Sequence, residues 1–141
     1  MEETHKINTR LTRDMLVEYG IRVDCDDRGV NHIYRTTYFH NVLQEIELTP
    51  HLCWHAKKDG TRGKNRWTIM FRYNRRMYTL QLSRVIYAWY CQEVPEGYHV
   101  DHIDNDSENN NINNLQLLTP TENNLKRKMD AIKEAKRNEK N

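Results

Sequence analysis

Val100-Asp101-His102-Ile103-Asp104-Asn105 and, after a polar interval, Asn113-Asn114-Leu115-Gln116-Leu117-Leu118-Thr119-Pro120-Thr121-Glu122-Asn123-Asn124 carry the clearest structural pattern in the chain. Tyr98 to Ile103 reads as a strand, and Leu115 to Leu118 as a second, shorter one. The interval from Asp104 to Asn113 is crowded with Asn and Asp, residues that bond to nearby backbone and favour turns, so it reads as a loop. A helix start follows. Thr119 can cap it, Pro120 suits the first helical position because its missing N–H would be unpaired there anyway, and Glu122 can close a capping box. The helix continues through Leu125, Met129 and Ile132. Its last turns are charged and expected to be solvated, or to order on binding.

Upstream, Leu11, Met15, Leu16 and Tyr19 fit a short amphipathic helix from Thr12 to Tyr19, stopped by Gly20. Ile21 to Cys25 alternates like a strand, and Asp26-Asp27-Arg28-Gly29 reads as a turn. Tyr34 to Leu48 supports two readings: Thr36 to Phe39 suits a strand, whereas Val42, Leu43 and Ile46 suit a helix. His51 to His55, Arg66 to Tyr73 and Met77 to Leu82 read as three antiparallel strands. Lys57 to Asn65 is a basic loop between the first two, and Asn74-Arg75-Arg76 a tight turn without the usual Asn-Gly signal. Ser83 is expected to cap a helix to about Tyr90, with Val85, Ile86 and Trp89 on its apolar side. Pro95-Glu96-Gly97 reads as a turn. Cys25 and Cys91 are expected to pack as small apolar groups. The fold class is α+β: an antiparallel sheet region, then strand–loop–strand–helix. Residues 1–50 form a region without an assigned role, 51–90 a basic sheet plus helix, and 91–141 the final unit with a basic helix.

The charge is unevenly distributed, although the net value is only +2. Residues 51–86 carry nine Lys/Arg against Asp59 alone, residues 87–124 carry seven acids and no Lys/Arg, and residues 125–141 carry seven Lys/Arg against three acids. An acidic, cation-attracting centre between two polyanion-attracting arms is the reading this favours. The run of acids leaves the centre's negative charge uncompensated until a metal binds. No apolar run reaches the ~18 residues of a membrane span, and the polar, acidic start lacks the pattern of a signal peptide. Three scattered cysteines do not make a disulfide framework. A reducing, cytoplasmic setting is expected.

At the sequence level, Val100-Asp101-His102-Ile103-Asp104-Asn105, Asn113-Asn114-Leu115-Gln116-Leu117-Leu118-Thr119 and Glu122-Asn123-Asn124 resemble the ββα-metal fold of HNH endonucleases. The likeness is to the variant whose third signature residue is Asn, as in phage-encoded HNH homing endonucleases. It extends over about residues 51–124 and includes the Arg-containing helix start at Ser83-Arg84-Val85-Ile86. It implies a metal-dependent DNA endonuclease of nicking or homing type, with His102 and Asn114 catalytic and Asp101 and Asn123 on the metal.

The chemistry of those residues agrees with the resemblance. A carboxylate (Asp101) and an amide oxygen (Asn123) suit a hard divalent cation, Mg²⁺ or Mn²⁺, that keeps places for water and phosphate oxygens. An imidazole titrates near neutral pH, so His102 can take a proton from an attacking water. Asn114 would tie the loop or the His102 backbone in place, as the family pattern implies. An EF-hand reading of Asp104, Asp106 and Glu108 fails, because Asn109 and Leu115 stand where the glycine and the glutamate belong. His51, Cys53 and His55 alternate on a strand but lack a fourth zinc ligand. His99 precedes the motif and supports two readings, a place near the metal and, slightly favoured, simple exposure.

The expected partner is double-stranded DNA, with no membrane. Lys57, Lys58, Arg62, Lys64, Arg66, Arg72, Arg75 and Arg76 are the DNA-binding candidates of the sheet. Arg66, Arg72 and Arg75 among them could read bases. Lys126, Arg127 and Lys128 on the last helix would follow phosphates. Two other functions stay open: a DNA-binding protein that keeps the HNH shell without catalysis, and a protein that binds a host factor. Monomer and homodimer both stay open as well.

Overall fold

The computed structural model describes residues 9–53, 59–60 and 66–139. Helix α1 (Arg13–Glu18) starts at Thr12, whose hydroxyl accepts the Met15 N–H at 3.1 Å. It stops at Gly20, whose φ of +82° is the left-handed conformation that ends many helices. A Cβ at Gly20 would lie 2.7 Å from the Thr36 carbonyl oxygen, so the position needs glycine for space as well as for φ. The Thr36 N–H, in turn, donates to Gly20 O at 2.8 Å.

Strands β1 (Ile21–Cys25), β2 (Asn31–Phe39) and β3 (Val42–Leu48) form one antiparallel sheet in chain order. The two open readings of Tyr34 to Leu48 resolve in favour of strands. His40 and Asn41 make the two-residue turn with φ of +49° and +62°, the primed geometry whose twist suits a hairpin. Strands β4 (His51–Cys53), β5 (Arg66–Tyr73) and β6 (Arg76–Gln81) form a second antiparallel sheet. Asn74 and Arg75 repeat the positive-φ turn, at +49° and +66°.

Helix α2 (Leu82–Tyr90) begins one residue before the expected cap. Ser83 lies inside it and is buried, and Gln81 stands at the cap position without a side-chain cap bond. Strand β6 runs directly into this helix, which leaves no turn in which Ser83 could serve as a cap. Strands β7 (His99–His102) and β8 (Leu115–Leu118) pair antiparallel, and helix α3 (Pro120–Glu139) follows. The capping box forms in both directions: Thr119 Oγ1 accepts the Glu122 N–H at 3.1 Å, and Glu122 Oε1 accepts the Thr119 N–H at 3.3 Å.

One apolar core joins these parts. Leu11, Leu16, Ile21, Val23, Ile33, Ile69, Phe71, Val85, Ile86, Val94, Val100 and Leu115 are all buried in it. The alternation on β1 and β5 sends Ile21 and Val23, and Ile69 and Phe71, inward. Leu11 pairs with Val94 through reciprocal backbone bonds of 2.9 and 2.8 Å, so the start of the described chain is fastened just before β7. Both Cys25 and Cys91 are exposed instead of packed. Each ends its element, beyond the reach of the core: Cys25 closes β1 and Cys91 follows α2. Among the described residues, no helix is long and apolar enough to cross a membrane.

Candidate active site

Two short strands, the loop between them and the start of α3 carry Asp101, His102, Asn114 and Asn123. Asp101 lies opposite Gln116, and His102 opposite Leu115. Buried Val100 and Leu115 anchor the pair in the core, so the polar side chains of β7 are presented from a fixed base.

His102 is buried at 6% exposure, and its Nε2 lies 2.8 Å from Asn110 Oδ1. With that oxygen as acceptor, Nε2 carries the proton and Nδ1 keeps the lone pair. Asp101 is half-buried. Its Oδ2 accepts from Gln116 Nε2 at 2.9 Å and from Lys126 Nζ at 2.7 Å.

Asn114 ends a single 3-10 turn at Ile112–Asn114 and holds the loop. Its Oδ1 accepts the Asp104 N–H at 3.1 Å, and its Nδ2 donates to Asp104 Oδ1 and to Asn109 O, each at 2.9 Å. Its own carbonyl accepts the Ile103 N–H at 2.8 Å, so the loop is closed directly behind His102. Asp104 is the hub of the same loop, accepting also from the Asp106 N–H and Asn109 Nδ2. These bonds, Asn109's foremost, hold its carboxyl down at about 2.

Asn123 sits on the first turn of α3, and its backbone N–H donates to Thr119 O at 2.9 Å. Three residues later on the same helix face, Lys126 reaches β7. Asn123 therefore shares the face of α3 that lies over Asp101, and its side chain makes no hydrogen bond among the described residues.

Lys126 corrects one expectation. The negative charge of Asp101 is already compensated, because the lysine two residues beyond the acidic segment folds back onto it. Arg127 and Lys128 stay exposed. The sequence carries no signal for Asn110 or Gln116 as site residues. Asn110 was one of many asparagines in a loop, and nothing but the fold distinguishes the one that meets His102.

His99 is half-buried, not exposed. Burial, and after it the nearby Arg84 and Arg66 charges, push its pKa down, against a smaller opposite effect of Asp101. Arg84 is itself buried and donates to Tyr98 O at 2.9 Å and to Thr9 O, which fixes α2 to the turn that feeds β7. Burial lowers its pKa.

Arg66 is half-buried on β5, whereas Arg72, Arg75 and Arg76 are exposed around the β5–β6 turn. Arg66 and Arg72 share a strand face with exposed Met70, away from the core-facing Ile69 and Phe71. His51 is exposed, and Cys53 Sγ lies 3.2 Å from Thr68 Oγ1. Lys57, Lys58, Arg62, Lys64 and His55 lie outside the described residues. Among the described residues, no three His, Cys, Asp or Glu side chains converge as a metal cage.

Comparison with known proteins finds likenesses in this region. Residues 81–125, from the end of β6 into α3, match the family model described as HNH endonuclease. A relative in Bacillus subtilis (strain 168), named "SPbeta prophage-derived putative HNH homing endonuclease YosQ", is 36% identical over 44 residues. That match spans 31% of this chain and 25% of the relative, so the chain covers about a quarter of that protein's length. No solved structure matches the chain.

Proposed function

We propose that this chain is a metal-dependent DNA endonuclease of the HNH kind, working on double-stranded DNA in the cytoplasm. The observation that carries the reading is the buried imidazole of His102, oriented by Asn110 and adjacent in β7 to the carboxylate of Asp101. A nicking or homing role of phage origin rests on the likeness to the prophage protein.

His102 is the general base. Its Nε2–H is held by Asn110, so Nδ1 is the nitrogen that accepts the proton of an attacking water. Asn114 acts through the loop, holding Asp104 and the strand just after His102.

The donor set fits a hard cation. Asp101 Oδ2, the His102 carbonyl and Asn105 Oδ1 already surround an ammonium, so this place is lined by oxygens that receive positive charge. Asp101 and Asn123 would hold Mg²⁺ or Mn²⁺. With so few protein ligands, the ion would keep sites for water and phosphate oxygens. Bound there, it supplies positive charge to the scissile phosphate and the leaving 3′-oxygen. Arg66, Arg72, Arg75 and Arg76 would meet the duplex through the second sheet. Arg127 and Lys128 would meet it through α3, positioning it mainly by phosphate contacts.

The test is cleavage of supercoiled plasmid and long natural DNA in Mg²⁺, Mn²⁺ or EDTA, comparing wild type with His102→Ala. The expected outcome is metal-dependent nicking that falls by about 10²–10⁴ in the variant while DNA binding persists. DNA binding without cleavage in any metal would replace this reading with that of a DNA-binding protein.

A further inference from the structure

We propose that Lys126 is a built-in competitor for the cation at Asp101, so that this residue must release Asp101 before a divalent ion can be held there. The inference rests on the metal reading of the preceding subsection and adds its regulation.

A lysine on a surface helix normally keeps its ammonium in water. Arg127 and Lys128, its immediate neighbours, are exposed. Lys126 instead folds its side chain against β7, where it is 20% exposed and Asp101 only 16%. An ammonium has three N–H donors. Three oxygens receive them: Asp101 Oδ2 at 2.7 Å, the His102 carbonyl at 3.0 Å and Asn105 Oδ1 at 2.7 Å. Asn105 holds this position with a φ of +63°, and its own Nδ2 donates to Asp130 Oδ2 one helical turn beyond Lys126. The lysine therefore sits in a pocket made from β7, the loop and α3 together.

Those acceptors are a carboxylate, a carbonyl and an amide oxygen, the same hard donors a divalent cation takes. The resident ammonium and an incoming ion would share the one Asp101 carboxylate, whose Oδ2 already accepts from Lys126 and Gln116. Two cations at contact distance of one carboxylate repel, and partial burial leaves that repulsion less screened than in water. Occupation of Asp101 by Lys126 thus lowers metal affinity in the free protein. Turned out of the pocket, the ammonium stands at the edge of the site, where a phosphate would be its natural partner.

The experiment is a titration of Mn²⁺ into the full chain, with free Mn²⁺ followed by electron paramagnetic resonance. It compares wild type, Lys126→Met, Lys126→Gln and Asp101→Asn. Both Lys126 variants are expected to bind Mn²⁺ roughly tenfold more tightly or better, and tenfold corresponds to about 1.4 kcal/mol. Asp101→Asn is expected to lose binding. Circular dichroism checks folding, and if Lys126→Met fails to fold, Lys126→Gln, which keeps donors for the same oxygens, decides. Equal or weaker binding in the Lys126 variants, with binding still lost in Asp101→Asn, overturns the competition and leaves the metal reading intact. Unchanged binding in Asp101→Asn overturns the metal reading, and the competition with it.

Discussion

The first sheet and the β7–β8 unit are held by different means. In the first, β2 pairs with β3 over seven consecutive positions, and a long ladder, a tight turn and Gly20 lying against Thr36 set the fit, with side-chain pairs such as Arg22–Glu45 and His32–Glu47 laid across it. In the second, each strand has only four residues, and side chains complete what the ladder is too short to hold. Asp104, Asn109, Asn110, Asn114, Gln116 and Lys126 link loop, strand and helix by their own hydrogen bonds. A region built on backbone pairing tolerates many side chains. A region built on side chains fixes which ones it needs, and it can place a carboxylate and an imidazole where a ladder alone would not.

Gly20→Ala strikes the backbone-built region and should have the largest effect on stability. The left-handed φ and the 2.7 Å approach to Thr36 O both oppose a Cβ. A loss of about 3 kcal/mol, read from urea denaturation, is expected. Stability within about 0.5 kcal/mol of wild type would show that the junction yields easily.

Asn114→Ala strikes the other kind of region. It removes three side-chain bonds at a half-exposed place, for an expected loss of about 2 kcal/mol. Amide hydrogen exchange should rise from Ile103 to Asn114 and stay unchanged in β1–β3. Equal changes in both regions would mean that they open together and that the contrast is false.

The smallest effect is one of pH. His32 lies between Asp26 and Glu47, whose bonds, Asp26's foremost, raise its pKa above the ordinary 6.5. A raised pKa means the folded state holds the proton more tightly. Its stabilising effect is therefore complete below about 6.5 and is lost as pH rises through the folded value. Asp104 behaves oppositely. Its effect is present above the ordinary carboxylate value of 3.8 and is lost as pH falls through about 2. Moving from pH 6 to 9 should therefore shift amide resonances around His32, whereas the Asp104 carboxyl stays ionised across the whole range. Acid is less selective, because Asp26, bonded to His32 and to the Val30 and Arg28 N–H groups, is also held at about 2.

What the sequence revealed follows the same division. Strands β1, β5, β6, β7 and β8 were legible from alternation and β-branched or aromatic content, and the α3 start from its capping residues. The β2–β3 hairpin was ambiguous because His40 and Asn41 adopt positive φ without a glycine to announce it. Asp101, His102, Asn114 and Asn123 stood out by spacing. Asn110 did not, and Lys126 reads from the sequence only as a phosphate contact, because their bonds to His102 and Asp101 come from side chains that meet across a loop or from a helix to a strand. Composition did mislead at one point: the absence of Lys/Arg from 87 to 124 left the site's charge open, and folding closed it from position 126.

The pairing of Leu11 with Val94 and the bond from Arg84 to Thr9 O also bear on the kinetics of assembly. They join segments far apart in the chain, so they close a long loop whose ends must find each other before either contact contributes. Local hairpins such as β5–β6 can form early, on microsecond timescales. This fastening raises the contact order and places the completion of the fold among its slower events. Arg84 also bonds Tyr98 O, so one guanidinium carries this late contact on to the turn that feeds β7. A protein caught before it would possess its hairpins and still lack the clamp that Arg84 makes between Thr9 and Tyr98.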